Sequence, residues 1–138
     1  PELRKTFVAA ITANRVINMN WFGQVALETA YNRCEGYVDA LCHYVSGNME
    51  YMAASLKEKL PMLKMKPSQG TYMIWVDFRG TGMTTAQIED FIVHKAHIGV
   101  DMGSWFGQGG EGWLRFNLAC PRMLVERAVA QLVEAFQA

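Results

Sequence analysis

Residues 103–117, GSWFGQGGEGWLRFN, set five of the chain's twelve glycines ahead of an apolar run that carries a single arginine. Glycines let backbone approach a phosphate closely, so GQGGEG invites a dinucleotide-binding reading, but that fingerprint needs a strand before it and a helix after it. Here the glycines lead into GWLRFNLA, where Leu114, Phe116 and Leu118 alternate with Trp113, Arg115 and Asn117, the period of a strand. The segment is a tight connection with several residues at positive φ that delivers a strand. Arg115 and Asn117 then share the face opposite Leu114 and Phe116.

Working outward, IGVDM just before the glycines predicts another strand. TYMIWVDF alternates Tyr72, Ile74, Val76 and Phe78 against Met73, Trp75 and Asp77, a strand opened by Gly70 and closed by Gly80. Thr84 followed by Gln87 predicts a capping box for a helix whose buried stripe is Ile88, Phe91, Ile92 and the stem of Lys95. Pro121 starts a last helix with Leu124, Ala128, Leu132 and Phe136 at i+4 steps and Val125, Val129 and Val133 beside them. Upstream, the spacing predicts helices over Pro1 to about Asn14, with stripe Leu3, Phe7 and Ile11, and again around Phe22, Val25, Ala26 and Thr29. A third runs from about Glu35 to Leu60, with Tyr37, Leu41, Tyr44, Val45, Tyr51, Met52 and Leu56 on or near one stripe. At roughly 35 to 40 Å it suits an interdomain helix. The fold class is α+β: a small antiparallel or mixed sheet covered by helices, preceded by that long helix.

Composition narrows the function. The chain has 138 residues, 51% of them hydrophobic, which is enough for a real core. Thirteen basic and thirteen acidic side chains cancel, so no net field draws the chain to nucleic acid or anionic lipid. No apolar run approaches the roughly 18 residues of a membrane span, and PELRKTF lacks a signal-peptide core, so we expect a cytoplasmic protein with neither nucleic-acid nor membrane partner. Cys34, Cys42 and Cys120 match no disulfide framework and read as free buried thiols.

Among candidate site residues, Arg115 offers a planar fork of donors that matches a carboxylate in two parallel hydrogen bonds. Pattern alone favours the other reading, an arginine on the solvated face of an edge strand. Asn117 either orients that fork or caps a turn. His94 and His97, three apart on the same helix, could share a metal, but no third ligand accompanies them, and we expect no metal site.

Three segments together resemble a known family: NWFGQVALETAYN at 20–32, GTYMIWVDF at 70–78 and GSWFGQGGEGWLRFNLACPR at 103–122. Gly-Thr-Tyr with Trp-Val-Asp-Phe, then Phe-Gly-Gln-Gly-Gly-Glu-Gly, then Arg-Phe-Asn, is similar to the C-terminal part of fold-type I pyridoxal phosphate enzymes. The nearest branch is the MalY/PatB-like one, of class I/II aminotransferases and cystathionine β-lyases. The resemblance implies that residues 1–34 end a large domain and form the interdomain segment, and that 35–138 are the small, substrate-clamping domain. It implies that Arg115 binds the α-carboxylate of an amino-acid substrate and that Tyr72, Phe106 and Asn117 lie nearby. Asn18, Asn20 and Trp21 fall where a homodimer's subunits meet near the active site.

The family's Schiff-base lysine and pyridoxal 5'-phosphate contacts belong to a large domain upstream of Pro1. The chain by itself is therefore expected to be inactive and to bind the cofactor without specificity. Lys5 in Lys-Thr-Phe faintly echoes the family's lysine motif and is taken as a decoy. The chemistry implied is removal of the Cα proton, followed either by loss of a thiolate from Cβ or by transamination. A non-catalytic carboxylate-binding or dimerisation module is the alternative.

Overall fold

The computed structural model describes residues 1–16 and 20–138, and the chain divides into two compact units, Pro1–Ala40 and Leu41–Ala138. The first unit holds α1 (Glu2–Ala13), α2 (Trp21–Arg33) and the start of α3 (Glu35–Lys59). α1 and α2 form where the spacing predicts them, yet neither has a buried residue. Phe7 is 63% and Phe22 84% exposed. The periodicity sets which side of a helix is apolar, whereas burial requires a surface for that side to pack on.

The second unit contains β1 (Lys64–Met65), β2 (Met73–Asp77), α4 (Thr85–Asp90), β3 (Asp101–Met102), β4 (Trp113–Asn117) and α5 (Arg122–Gln137). Its four strands form one antiparallel sheet in the order β1-β2-β4-β3. β4 is therefore an interior strand, so the edge-strand reading of Arg115 does not hold. β1 was absent from the sequence reading; two residues after Pro61 carry too little alternation to show.

Ile74 and Val76 of β2 and Leu114 and Phe116 of β4 supply the sheet's core face. α3, α4 and α5 close over it, and each such side chain taken from water contributes about 1.5–3 kcal/mol. The buried stripe of α3 is Val45, Asn48, Met49, Met52, Ser55 and Leu56, while Tyr37, Leu41 and Tyr44 are exposed. The expected stripe missed Asn48 because polar residues were not counted as inward-facing. Its Nδ2 donates to the carbonyls of Leu118 and Cys120, both at 2.9 Å, and ties α3 to the chain leaving β4. α5 buries Val125, Val129 and Leu132, with Leu124 exposed, so the stripe follows mixed steps of three and four rather than the strict i+4 row.

The capping box forms. Thr84 Oγ1 accepts from the Gln87 amide at 3.3 Å, and Gln87 Oε1 accepts from the Thr84 amide at 2.8 Å. The helix widens into a π turn over Phe91–Lys95 and stops at His97, φ 55°. His97 thus lies beyond the helix, both histidines are exposed, and no group of three potential metal ligands exists among the described residues. Lys95 is exposed as well. The cysteines are free, but Cys42 is exposed and the other two only partly buried, which corrects the expectation of buried thiols. Burial raises the pKa of the Cys120 thiol and keeps it protonated.

Candidate functional site

The sheet's other face is open, and register alone determines what meets there. Arg115 pairs directly with Trp75 on β2 and with Asp101 on β3, while Trp113 pairs with Asp77. Residues opposite one another in an antiparallel pair point to the same face. One arginine, two aspartates and two tryptophans therefore share one surface.

Arg115 is held from two directions. Its Nε and Nη2 donate to a single oxygen, Asp101 Oδ2, at 3.0 and 2.6 Å. The Phe106 ring lies 4.4 Å from the guanidinium carbon and covers one face of the group. Phe106 in turn meets Trp75 edge-on, at 5.2 Å between centroids and 90° between planes. The side chain is 28% exposed, and Nη1 has no hydrogen-bond partner among the described residues. Asp101 takes the Nε edge of the fork. The Nη1/Nη2 end stays open to a second carboxylate.

The glycine loop places Phe106 there. Gly107, Gly109 and Gly112 have φ of 101°, 93° and 78°, a region that side chains disfavour. At Gly103 and Gly110 the need is closeness: a Cβ on either would collide with the other's carbonyl oxygen. The loop folds back on itself, with Gly110 N donating to Gly107 O and Trp113 N to Gly110 O. Ser104 Oγ donates to Glu89 Oε1 at 2.8 Å, anchoring the turn Gly103–Phe106 to α4. A loop that can double back within so few residues puts an aromatic ring over an arginine on the strand it has just begun.

A second arginine is built differently. Arg79 grips Asp77 with Nε to Oδ1 at 2.9 Å and Nη2 to Oδ2 at 2.8 Å, its amide adds another bond to Oδ1, and its guanidinium lies over Trp113. The Arg79 hydrogen bonds hold the Asp77 carboxyl below its ordinary pKa. Both carboxylate oxygens are engaged, so this pair is closed where Arg115 is open.

The other sequence candidates fall as follows. Asn117 Oδ1 accepts from the Ala119 amide at 2.9 Å, which is a turn cap. Tyr72 precedes β2 in phase with the core-facing residues, and its carbonyl accepts from Leu118 N. Asn20 Oδ1 caps α2 by accepting from Gly23 N at 2.7 Å, and Trp21 is exposed. Asn18 lies outside the described residues. Asp101 and Trp75 were missed. The signal that could have found Asp101 is the opposite charge in the strand that would pair with Arg115.

Around this surface runs an open groove of about 660 Å³, with Arg115, Trp75 and Trp113 among its lining and Lys64 and Lys66 at its β1 side. A smaller apolar notch joins Trp75, Phe106 and Trp113. Pyridoxal phosphate needs a lysine for its Schiff base and donors around its phosphate. All six lysines are solvent-exposed, Lys5 among them, so the residues here do not make a cradle for that group. Among the described residues no helix is long and apolar enough to cross a membrane.

No protein-family model matches the chain. It is 32% identical to cystathionine beta-lyase PatB of Bacillus subtilis, covering 85% of this chain and 30% of that protein. It is 29% identical to protein MalY of Escherichia coli, covering 79% of this chain and 28% of that one. The structure of cystalysin from Treponema denticola, which contains pyridoxal 5'-phosphate, superposes with a TM-score of 0.93 at 30% identity, over 99% of this chain and 35% of that one. The chain thus spans about a third of the length of proteins it resembles.

Proposed function

The chain belongs with the C-terminal part of the MalY/PatB-like branch of fold-type I pyridoxal phosphate enzymes, and we propose that residues 35–138, which include the compact unit Leu41–Ala138, are its substrate-clamping domain. The complete protein acts on amino acids as a C–S β-lyase or an aminotransferase, and pyridoxal phosphate is held by residues outside this chain. The cofactor, when bound, stabilises negative charge at the substrate's Cα. This chain's own contribution is recognition and orientation.

Arg115 receives the α-carboxylate at its Nη1/Nη2 end. Asp101 holds the Nε edge and so fixes the plane of the fork, and Phe106 covers one guanidinium face and keeps water from it. Asn117 lies further along the same strand face, whereas Tyr72, in phase with the core-facing residues of β2, is assigned to the substrate's surroundings from the sequence resemblance alone. Asn20 and Trp21, exposed at the start of α2, belong to the subunit contact of a homodimer, a role that the sequence resemblance alone extends to Asn18. The observation that carries this reading is the half-satisfied guanidinium on an interior strand: one edge is locked and the other is open to the groove.

Arg115→Ala in the complete enzyme is expected to lower kcat/KM for the amino acid by the equivalent of about 2–5 kcal/mol. An unchanged kcat/KM contradicts the assignment. The open guanidinium edge equally serves a second reading, a carboxylate-binding or dimerisation module without catalysis. Stoichiometric amino-acid binding with no turnover in the complete protein would select the former, and dimerisation without amino-acid binding the latter.

A further inference from the structure

The strand that carries Arg115 loses its support on one side just past that residue. Among the described residues β3 pairs with β4 only at Met102↔Leu114 and Asp101↔Arg115. From Phe116 onward the ladder continues on the β2 side alone, where Met73 pairs with Asn117 and Leu118 N donates to the Tyr72 carbonyl at 3.0 Å. A strand end held on one edge twists and frays more readily, so whatever fixes that end also decides how steadily Arg115 is held.

The fixing comes from α3. Tyr44, Asn48 and Tyr51 follow steps of four and three, share one side of the helix, and each takes hold of the segment leaving β4. Asn48 Nδ2 donates to the carbonyls of Leu118 and Cys120, Tyr44 Oη accepts from the Arg122 amide at 2.8 Å, and the Arg122 guanidinium lies 4.8 Å over the Tyr51 ring. The Asn48 side chain is wholly buried, uses both Nδ2 hydrogens on those two carbonyls, and leaves Oδ1 without a partner among the described residues. A buried acceptor without a partner destabilises a fold, and an aliphatic side chain of similar size has none. The amide is thus placed for its donors. Leu118, the nearer of the residues it holds, lies about 10 Å along the strand from Arg115.

We propose that Asn48, assisted by Tyr44, is a positioning residue for Arg115: by pinning the end of β4 it keeps the guanidinium against Asp101 and beneath Phe106, so that the open edge is presented in one orientation. What that open edge binds rests on the clamp reading; the pinning itself does not.

The test compares wild type, Asn48→Leu and Val45→Ala in the intact chain, following the Arg115 Nε–H resonance by NMR, hydrogen exchange at the Leu118 amide, and titration with L-norleucine. Asn48→Leu removes the donors at similar volume, whereas Val45→Ala loosens the same buried helix side without touching residues 118–122. Asn48→Leu is expected to move the Arg115 resonance, to speed Leu118 exchange about tenfold, the scale of one hydrogen bond's net contribution, and to weaken norleucine by a similar factor. Val45→Ala should leave the Arg115 resonance in place. A resonance unmoved by Asn48→Leu, or moved as far by Val45→Ala, overturns the proposal. Where Asn48→Leu does not fold, Tyr44→Phe, which removes one bond from an exposed ring, should still move the Arg115 resonance, and an unmoved one overturns the proposal there too. A wild-type chain indifferent to norleucine sinks the clamp reading alone, because the free-chain resonance still decides the positioning.

Discussion

On one side of β4, Leu114 and Phe116 lie within a closed core; on the other, one residue along, Arg115 keeps a free edge. The same two strands serve both faces, so the difference comes from what the alternation presents. Purely apolar side chains meet three helices on one face, while charged side chains and tryptophans meet a glycine loop and a groove on the other. The core face is satisfied within Leu41–Ala138. The open face is held in shape by pairs such as Arg79–Asp77 but is left short of a partner at Arg115. A protein that needed this face only for stability could close Arg115 as it closes Arg79.

The largest effect that could break this comparison belongs to the core. Leu114→Ala should cost about 2–5 kcal/mol in denaturant unfolding, the usual range for a large-to-small change at a packed site. A cost well under 1 kcal/mol would mean that the core face is not closed. Next comes Asp77, whose carboxyl is held below its ordinary pKa chiefly by the Arg79 hydrogen bonds. A depressed pKa stabilises above the unfolded value and is lost as pH falls through the folded one, so wild-type stability should drop as pH falls below about 4. Asp77→Asn should be less stable near neutral pH and show a shallower acid slope; an unaltered slope would remove the pair from the account. The smallest stability change is expected at Arg115→Gln, within about 1 kcal/mol for a partly exposed pair. A core-sized loss there would make Arg115 structural.

A further check concerns the cofactor. Incubating the chain with pyridoxal phosphate, reducing with borohydride and mapping peptides should give scattered, substoichiometric labelling of exposed lysines. One stoichiometric adduct, above all at Lys5, would show that this chain holds the cofactor itself.

The contrast between the faces was largely legible in the sequence, because a period of two cannot hide which residues share a side. The alternation in TYMIWVDF and GWLRFNLA sets Ile74 with Val76 and Leu114 with Phe116. What the pattern could not carry is register. Asp101 becomes the partner of Arg115 only once β3 is paired with β4, and two residues of β1 are too few to alternate visibly. α1 and α2 show the complementary limit: their stripes were predicted, but a stripe does not say what covers it. Asn48, a buried amide serving two carbonyls, has no hydropathy signal at all.

Recognition of an α-carboxylate by the open edge of Arg115 can be tested on the chain itself. The most direct measurement titrates the chain with L-norleucine and, separately, with L-norleucinamide, which differs only in lacking the carboxylate, while the Arg115 Nε–H and Trp75 indole resonances are followed by NMR. Norleucine is expected to shift the Arg115 resonance, norleucinamide to leave it in place, and Arg115→Gln to abolish the Trp75 response to norleucine. Equal responses to both compounds, or a Trp75 response that survives Arg115→Gln, would contradict that recognition.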